Sequence, residues 1–163
     1  MTVQQPIQTL LQTPLPNKVK AQAIKKLLIV TDAWKPQVNG VVRTLGNTRT
    51  HLQDLGIEVE MLTPQAFKTL PCPSYPEIRL SLTTRGRVQQ MIEAINPDAL
   101  HIATEGPLGW AARGAALKRG WAFTTAYHTR FPEYVNARIG VPLSWSYALF
   151  RRFHAAASSV LAP

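Results

Sequence analysis

Lys26-Leu-Leu-Ile-Val-Thr-Asp-Ala-Trp-Lys-Pro-Gln-Val-Asn-Gly-Val-Val-Arg-Thr-Leu45 is the stretch from which the fold can be read. Leu27 to Val30 is an uninterrupted apolar run, the mark of a strand buried on both faces. A polar loop follows from Thr31 to Gly40, containing Pro36 and Asn39-Gly40. Beyond it Val41, Leu45, Thr48 and Leu52 recur at helical spacing. Strand, glycine-containing loop and helix make the first βα unit of a nucleotide-binding sheet. In such a unit Gly40 either lets backbone N–H groups approach an anion or simply permits a turn.

The same alternation continues along the chain. The first helix is expected to stop at Gly56, and Ile57 to Thr63 reads as a second strand. Pro64 to Pro76 is proline-dense and reads as loop, followed by a short third strand at Ile78 to Leu82. Thr84 opens a helix with Val88, Met91, Ile92 and Ile95 on one face, stopped by Asn96-Pro97-Asp98. Ala99 to Ala103 is a fourth strand, and Glu105-Gly-Pro-Leu-Gly109 opens a helix running to Gly120. Ala122 to Ala126 is a fifth strand, with Tyr127 to Pro132 its polar exit. Helical stretches at Glu133 to Arg138 and Leu143 to His154 precede a last apolar run, Ser159 to Ala162. Strands separated by helices mean an α/β, doubly wound parallel sheet. Its ligand edge lies just past the strands, at Asp32 to Gly40, Thr104 to Gly106 and Tyr127 to Glu133.

At 163 residues the chain suits one domain, residues 25–163, behind a polar, proline-bearing leader, residues 1–24. Apolar runs fall well short of the ~20 residues that span a bilayer. Met1 to Gln22 lacks a charged segment followed by an apolar one, so no secretory signal is expected there. The single Cys72, between Pro71 and Pro73, permits no internal disulfide and fits a reducing cytoplasm. The charge is the outlying property: eighteen Lys+Arg against nine Asp+Glu, a net +9. Such a balance favours anionic partners. The bases are scattered, without a helix-turn-helix, zinc-finger or aromatic RNA-binding signature, so phosphate and an anionic membrane surface are expected rather than nucleic acid.

Two long fingerprints, Val30 to Thr44 and Tyr127-His-Thr-Arg-Phe-Pro-Glu-Tyr-Val135, resemble the amino-terminal domain of retaining glycosyltransferases of family 4. His101-Ile-Ala-Thr-Glu-Gly-Pro-Leu-Gly109 and Pro71-Cys-Pro-Ser-Tyr-Pro76 resemble the same group, particularly bacterial α-mannosyltransferases and sulfoquinovosyl or glycolipid transferases. The resemblance implies one Rossmann-like half of the two-domain GT-B architecture, with the active site in the cleft between the halves. It implies a nucleotide-sugar donor and a sugar or lipid acceptor; the single cysteine and the basic charge make a cytoplasmic location, peripheral at the inner face of the membrane, the expected one. The resemblance implies no cofactor and no metal. The family's donor-side glutamate pair, spaced eight apart, is not found: Glu93, Glu105 and Glu133 are followed at that distance by His101, Arg113 and Val141. The donor-binding second domain is therefore expected outside this chain, whose alternative reading is a truncated, inactive domain or binding module.

Carried onto these residues, the resemblance implies Asn39, Gly40 and Arg43 near the donor's diphosphate. His128 is expected near the transferred sugar as a hydrogen-bonding and charge-stabilising group. Glu105, Gly106, Arg130 and Glu133 are the acceptor- or sugar-binding candidates. Against these stand plainer roles. Glu105 can equally cap the helix starting at Gly106, Arg130 can be a solvated loop charge, and Lys35 and Arg43 can meet only water. Asp32 can tie its loop to Asn39 or Thr44. His101 is expected in the core. Trp145, Tyr147, Phe150 and Phe153 are expected to pack inward, or to rest with Arg151 and Arg152 on lipid headgroups.

Overall fold

Strand β1 (Lys26–Val30) is the spine, with Leu28, Ile29 and Val30 all buried, so both of its faces are covered. The computed structural model describes residues 23–72, 75–127 and 143–162. β1 pairs in parallel with β2 (Glu58–Leu62) on one side and β5 (Ala99–Ile102) on the other. Ile29 stands opposite both Met61 and His101. β6 (Thr124–Ala126) and β7 (Ser159–Leu161) extend the sheet to the order β2-β1-β5-β6-β7, every pair parallel. This is the expected Rossmann-like α/β sheet.

Helices cover both faces. Helix α1 (Gly40–Asp54) lays Leu45, with Val41 and Leu52, against Ile29, Val59 and Ala103. On the other face α2 (Arg85–Ile95), α3 (Pro107–Arg119) and α4 (Leu143–His154) surround Leu28, Val30, Leu62, Leu100 and Ile102. The stops are local chemistry. Gly56 (φ 82°) and Gly120 (φ 69°) take the left-handed conformation beyond α1 and α3. Thr84 accepts from Arg87 N–H at the start of α2. Arg113 of α3 donates from Nε to the Phe153 carbonyl at 2.9 Å and from Nη2 to the Arg152 carbonyl at 2.7 Å. It thereby holds the end of α4, while Trp110 meets Phe153 edge-on at 5.0 Å. Of the α4 aromatics, Phe150 and Phe153 are buried, whereas Trp145 is 74% exposed. Expecting all of them inward holds for only half of the helix.

The expectations fail between β2 and α2. Pro64–Ala66 is a turn of 3-10 helix, and the supposed loop then contains strand β3 (Thr69–Cys72). β3 pairs antiparallel with β4 (Tyr75–Ser81), with Leu70 opposite Leu80, in a separate two-stranded ribbon. The third strand is therefore longer than expected and outside the main sheet, and Cys72 ends a strand. Pro71 and Pro76 have no N–H to donate, so a central ladder would reject them and an edge ribbon tolerates them. The fifth strand is also shorter than expected, starting at Thr124. The stretch Glu133 to Arg138 lies outside the described residues. No helix among the described residues is long and apolar enough to cross a membrane.

Candidate functional site

The sheet order turns back between β1 and β5: the chain leaves β1 for β2 on one side, and β5 for β6 on the other. Ligands of open α/β sheets settle in the crevice at such a reversal, outside the carboxyl ends of the strands. The segments at that position are Thr31 to Gly40 after β1 and Ala103 to Gly106 after β5.

Asp32 organises the crevice. It is 6% exposed, and its carboxylate accepts from Leu108 N–H (2.8 Å), Gly109 N–H (3.1 Å) and the Thr104 hydroxyl (3.0 Å). Its own N–H donates to Thr104 Oγ1 at 2.6 Å. A residue just past β1 thus satisfies the first-turn donors of α3, where a negative charge is favoured by the helix dipole. The expected tie of this side chain to Asn39 or Thr44 is incorrect. Only the Asp32 carbonyl reaches that way, through buried Gln37 (Nε2 donating, 3.4 Å), whose Oε1 accepts from Asn39 Nδ2. Burial pushes the Asp32 carboxyl up from its ordinary value, outweighing the hydrogen bonds from Leu108, Gly109 and Thr104 that act to lower it.

The clamp also explains two glycines. A Cβ on Gly106 would meet the Asp32 carboxylate, and one on Gly109 would meet the Thr104 carbonyl oxygen. Gly106 is the N-cap of α3 and offers no side-chain cap of its own. Glu105 does not cap that helix either, which corrects one of its two expected roles. Its Oε1 accepts from His154 Nε2 at 3.1 Å, and His154 Nδ1 lies 2.9 Å from Thr125 Oγ1. A neutral ring donating to Glu105 through Nε2 accepts from Thr125 at Nδ1; a charged ring donates at both. Tyr127 and Phe153 close over the imidazole edge-on at 6.0 and 5.2 Å. Glu105 therefore stays at the carboxyl edge, held by the last residue of α4.

The other sheet exit is open. Asn39 caps α1, its Oδ1 accepting from Val42 N–H at 3.0 Å. With one Nδ2 hydrogen on Gln37, a single donor of that amide remains for a ligand. Gly40 is exposed and begins the helix, and an added Cβ there would meet nothing within 4 Å. Arg43 projects from the first turn, exposed, and no carboxylate among the described residues pairs with it or with Lys35. His101 is buried as expected, its Nδ1 2.8 Å from Thr124 Oγ1. His128, Arg130 and Glu133 lie outside the described residues. Asn39, Gly40 and Arg43 thus lie past β1, and Glu105 with Gly106 past its neighbour β5. Sequence reasoning put Thr104 on the ligand edge without a partner, and passed over the roles of His154 and Thr125. Their partners are 72, 49 and 29 residues away, and no local pattern announces such pairs.

The chain is similar in sequence to several known transferases. A GDP-mannose-dependent alpha-mannosyltransferase from Mycobacterium tuberculosis is 25% identical over 158 residues, 85% of this chain and 41% of that protein. A sulfoquinovosyl transferase from Arabidopsis thaliana is 27% identical over 143 residues, covering 77% of this chain and 28% of the relative. An alpha-monoglucosyldiacylglycerol synthase from Acholeplasma laidlawii is 27% identical over 123 residues, 66% and 31% respectively. The chain thus spans well under half the length of the curated relatives it matches. The family model for Glycosyltransferase Family 4 matches residues 38–163, from the α1 cap through β7, and the chain belongs to that family.

Proposed function

We propose that this chain forms the acceptor-side wall of a hexosyltransferase. The enzyme moves a mannose-like or related hexose from a nucleotide-sugar donor to a lipid acceptor, with retention of configuration. The observation that carries the reading is the reversal between β1 and β5, with the exposed Gly40 segment leaving one of those neighbouring strands and Glu105 the other, in a member of this family. In this reading Gly40, the remaining Asn39 donor and the Arg43 guanidinium meet the donor's diphosphate. Glu105 accepts from sugar hydroxyls while His154 fixes its direction, and Gly106 and Glu133 complete the contact. His128 stabilises charge beside the transferred sugar without acting as the base, and Arg130 meets an anionic group of the acceptor. No divalent metal and no cofactor enters this scheme.

The donor's second wall comes from another domain, on the same or a separate polypeptide. One wall cannot exclude water or align two substrates, and alignment supplies much of the rate in such reactions. Incubating the chain with labelled nucleotide-hexose and a lipid extract is expected to give no transfer until the donor-side domain is supplied. Turnover by the chain alone would overturn the division of labour, and no turnover by the completed pair would overturn the transferase reading. The net charge of +9 and the exposed Trp145 and Leu149 beside Arg152 support a peripheral position on the inner membrane face. Flotation with anionic vesicles, and failure to float with neutral ones, is the expected result.

A further inference from the structure

The carboxyl edge carries a second concavity, displaced from the β1–β5 crevice toward β2. It is a cavity of about 130 Å³ bounded by Trp34 and Lys35 after β1, Gln65 and Phe67 after β2, and Thr69 and Arg79 of the ribbon. Gln65 Nε2 donates to the Lys35 carbonyl at 3.1 Å and ties two of these segments together. Lys35 and Arg79 are the only ionisable residues in the lining, and no carboxylate is among it. Nor does either pair with a carboxylate elsewhere among the described residues. Arg79 is held in place: Nε donates to Thr69 Oγ1 at 3.0 Å and Nη2 to the Thr69 carbonyl at 3.3 Å. Two of its five N–H donors are thereby used and three remain. A fixed guanidinium against half-buried Trp34 and Phe67 is screened less than one in open water.

Size decides what can enter. Sites that enclose drug-sized ligands run to roughly 300–1,000 Å³, so this cavity cannot enclose a nucleotide or a nucleotide sugar. A phosphate group with a few attached carbons fits. We propose that this cavity binds a phosphate mono- or diester, with Arg79 as the fork and Lys35 as the second cation. Trp34 and Phe67 take the adjoining carbons. On the transferase reading above, the ester belongs to the acceptor, which makes the acceptor an anionic polyol or glycerol phosphate rather than a neutral one. Its phosphate comes either from a lipid headgroup or from a soluble ester.

The test uses the 163-residue chain, labelled with nitrogen-15 and titrated with glycerol 1-phosphate, inorganic phosphate and glycerol. The Arg79 Nε–H and Trp34 indole resonances are expected to move saturably with the ester, at a dissociation constant on the order of 1 mM. They should stay still with glycerol. Arg79→Gln is expected to weaken binding about tenfold. Because Arg79 also braces the ribbon, Lys35→Gln, which touches no structural bond of that side chain, should weaken it about threefold. Vesicles of phosphatidylcholine with and without phosphatidylglycerol separate the sources. Capture by the anionic vesicles that is lost in Arg79→Gln assigns a headgroup; response to the soluble ester alone assigns a soluble acceptor. Equal response to ester and glycerol, or shifts that survive both substitutions, would overturn the site. Phosphate binding without transfer by the completed enzyme would count against the transferase reading alone. Transfer to a neutral acceptor with Arg79 silent would count against the cavity alone.

Discussion

Two helices start at the carboxyl edge of the sheet with a glycine close to their first residue, yet their first turns have opposite fates. At α3 the Leu108 and Gly109 N–H groups end on the Asp32 carboxylate, and the surrounding space is filled to the point where a methyl group would collide. At α1 the cap is a neutral amide, Gly40 faces solvent, and nothing lies within 4 Å of where its side chain would be. A helix start is an anion site only where the fold has not already supplied the anion. The first is architecture; the second is available.

The sharpest way to break this contrast is to remove the internal anion. Asp32→Ala leaves buried donors at α3 without partners and is expected to lower unfolding free energy by about 4 kcal/mol, read from urea denaturation. A loss no larger than at α1 would mean that the two starts are alike. Asp32→Asn keeps the volume and isolates the charge. The folded carboxyl titrates above its ordinary value of 3.8, so the folded state holds its proton to higher pH than the unfolded chain. Its contribution is complete below 3.8 and is lost as pH rises through the folded value. The asparagine variant is expected to lack that fall when both stabilities are followed across the same interval.

Gly109→Ala comes next, at about 3 kcal/mol, since the methyl meets a main-chain oxygen that cannot swing aside. Asn39→Ala should cost about 1 kcal/mol through the lost cap. The smallest effect is the most informative. Gly40→Ala is expected to change stability by less than about 1 kcal/mol. Transfer by the completed enzyme should fall severalfold if the donor's diphosphate rests there. Unchanged transfer would leave Gly40 as a turn residue.

The layout of the sheet was legible because Leu27 to Val30 is an apolar run and Ala99 to Ala103 is broken only by His101, and because Thr84, Gly56 and Gly120 mark helix ends by local rules. Of the ribbon only one strand was read, at Ile78 to Leu82; β3 was missed because Pro71 and Pro76 read as loop, when an edge pair forgives the missing donors. The site was half legible. The glycine and carboxylate positions after β1 and β5 follow from chain order, so Gly40 and Glu105 could be placed on one edge. Which group each side chain grips could not be read, because Asp32 with Leu108 and Glu105 with His154 are choices of packing made across 76 and 49 residues.

Helix α3 is fastened at two stations: its first turn to Asp32, and Arg113, one and a half turns along, to the last carbonyls of α4. It cannot pivot without breaking bonds at both. This side of the crevice therefore behaves as an anvil, stiff from β1 through to the far end of α4.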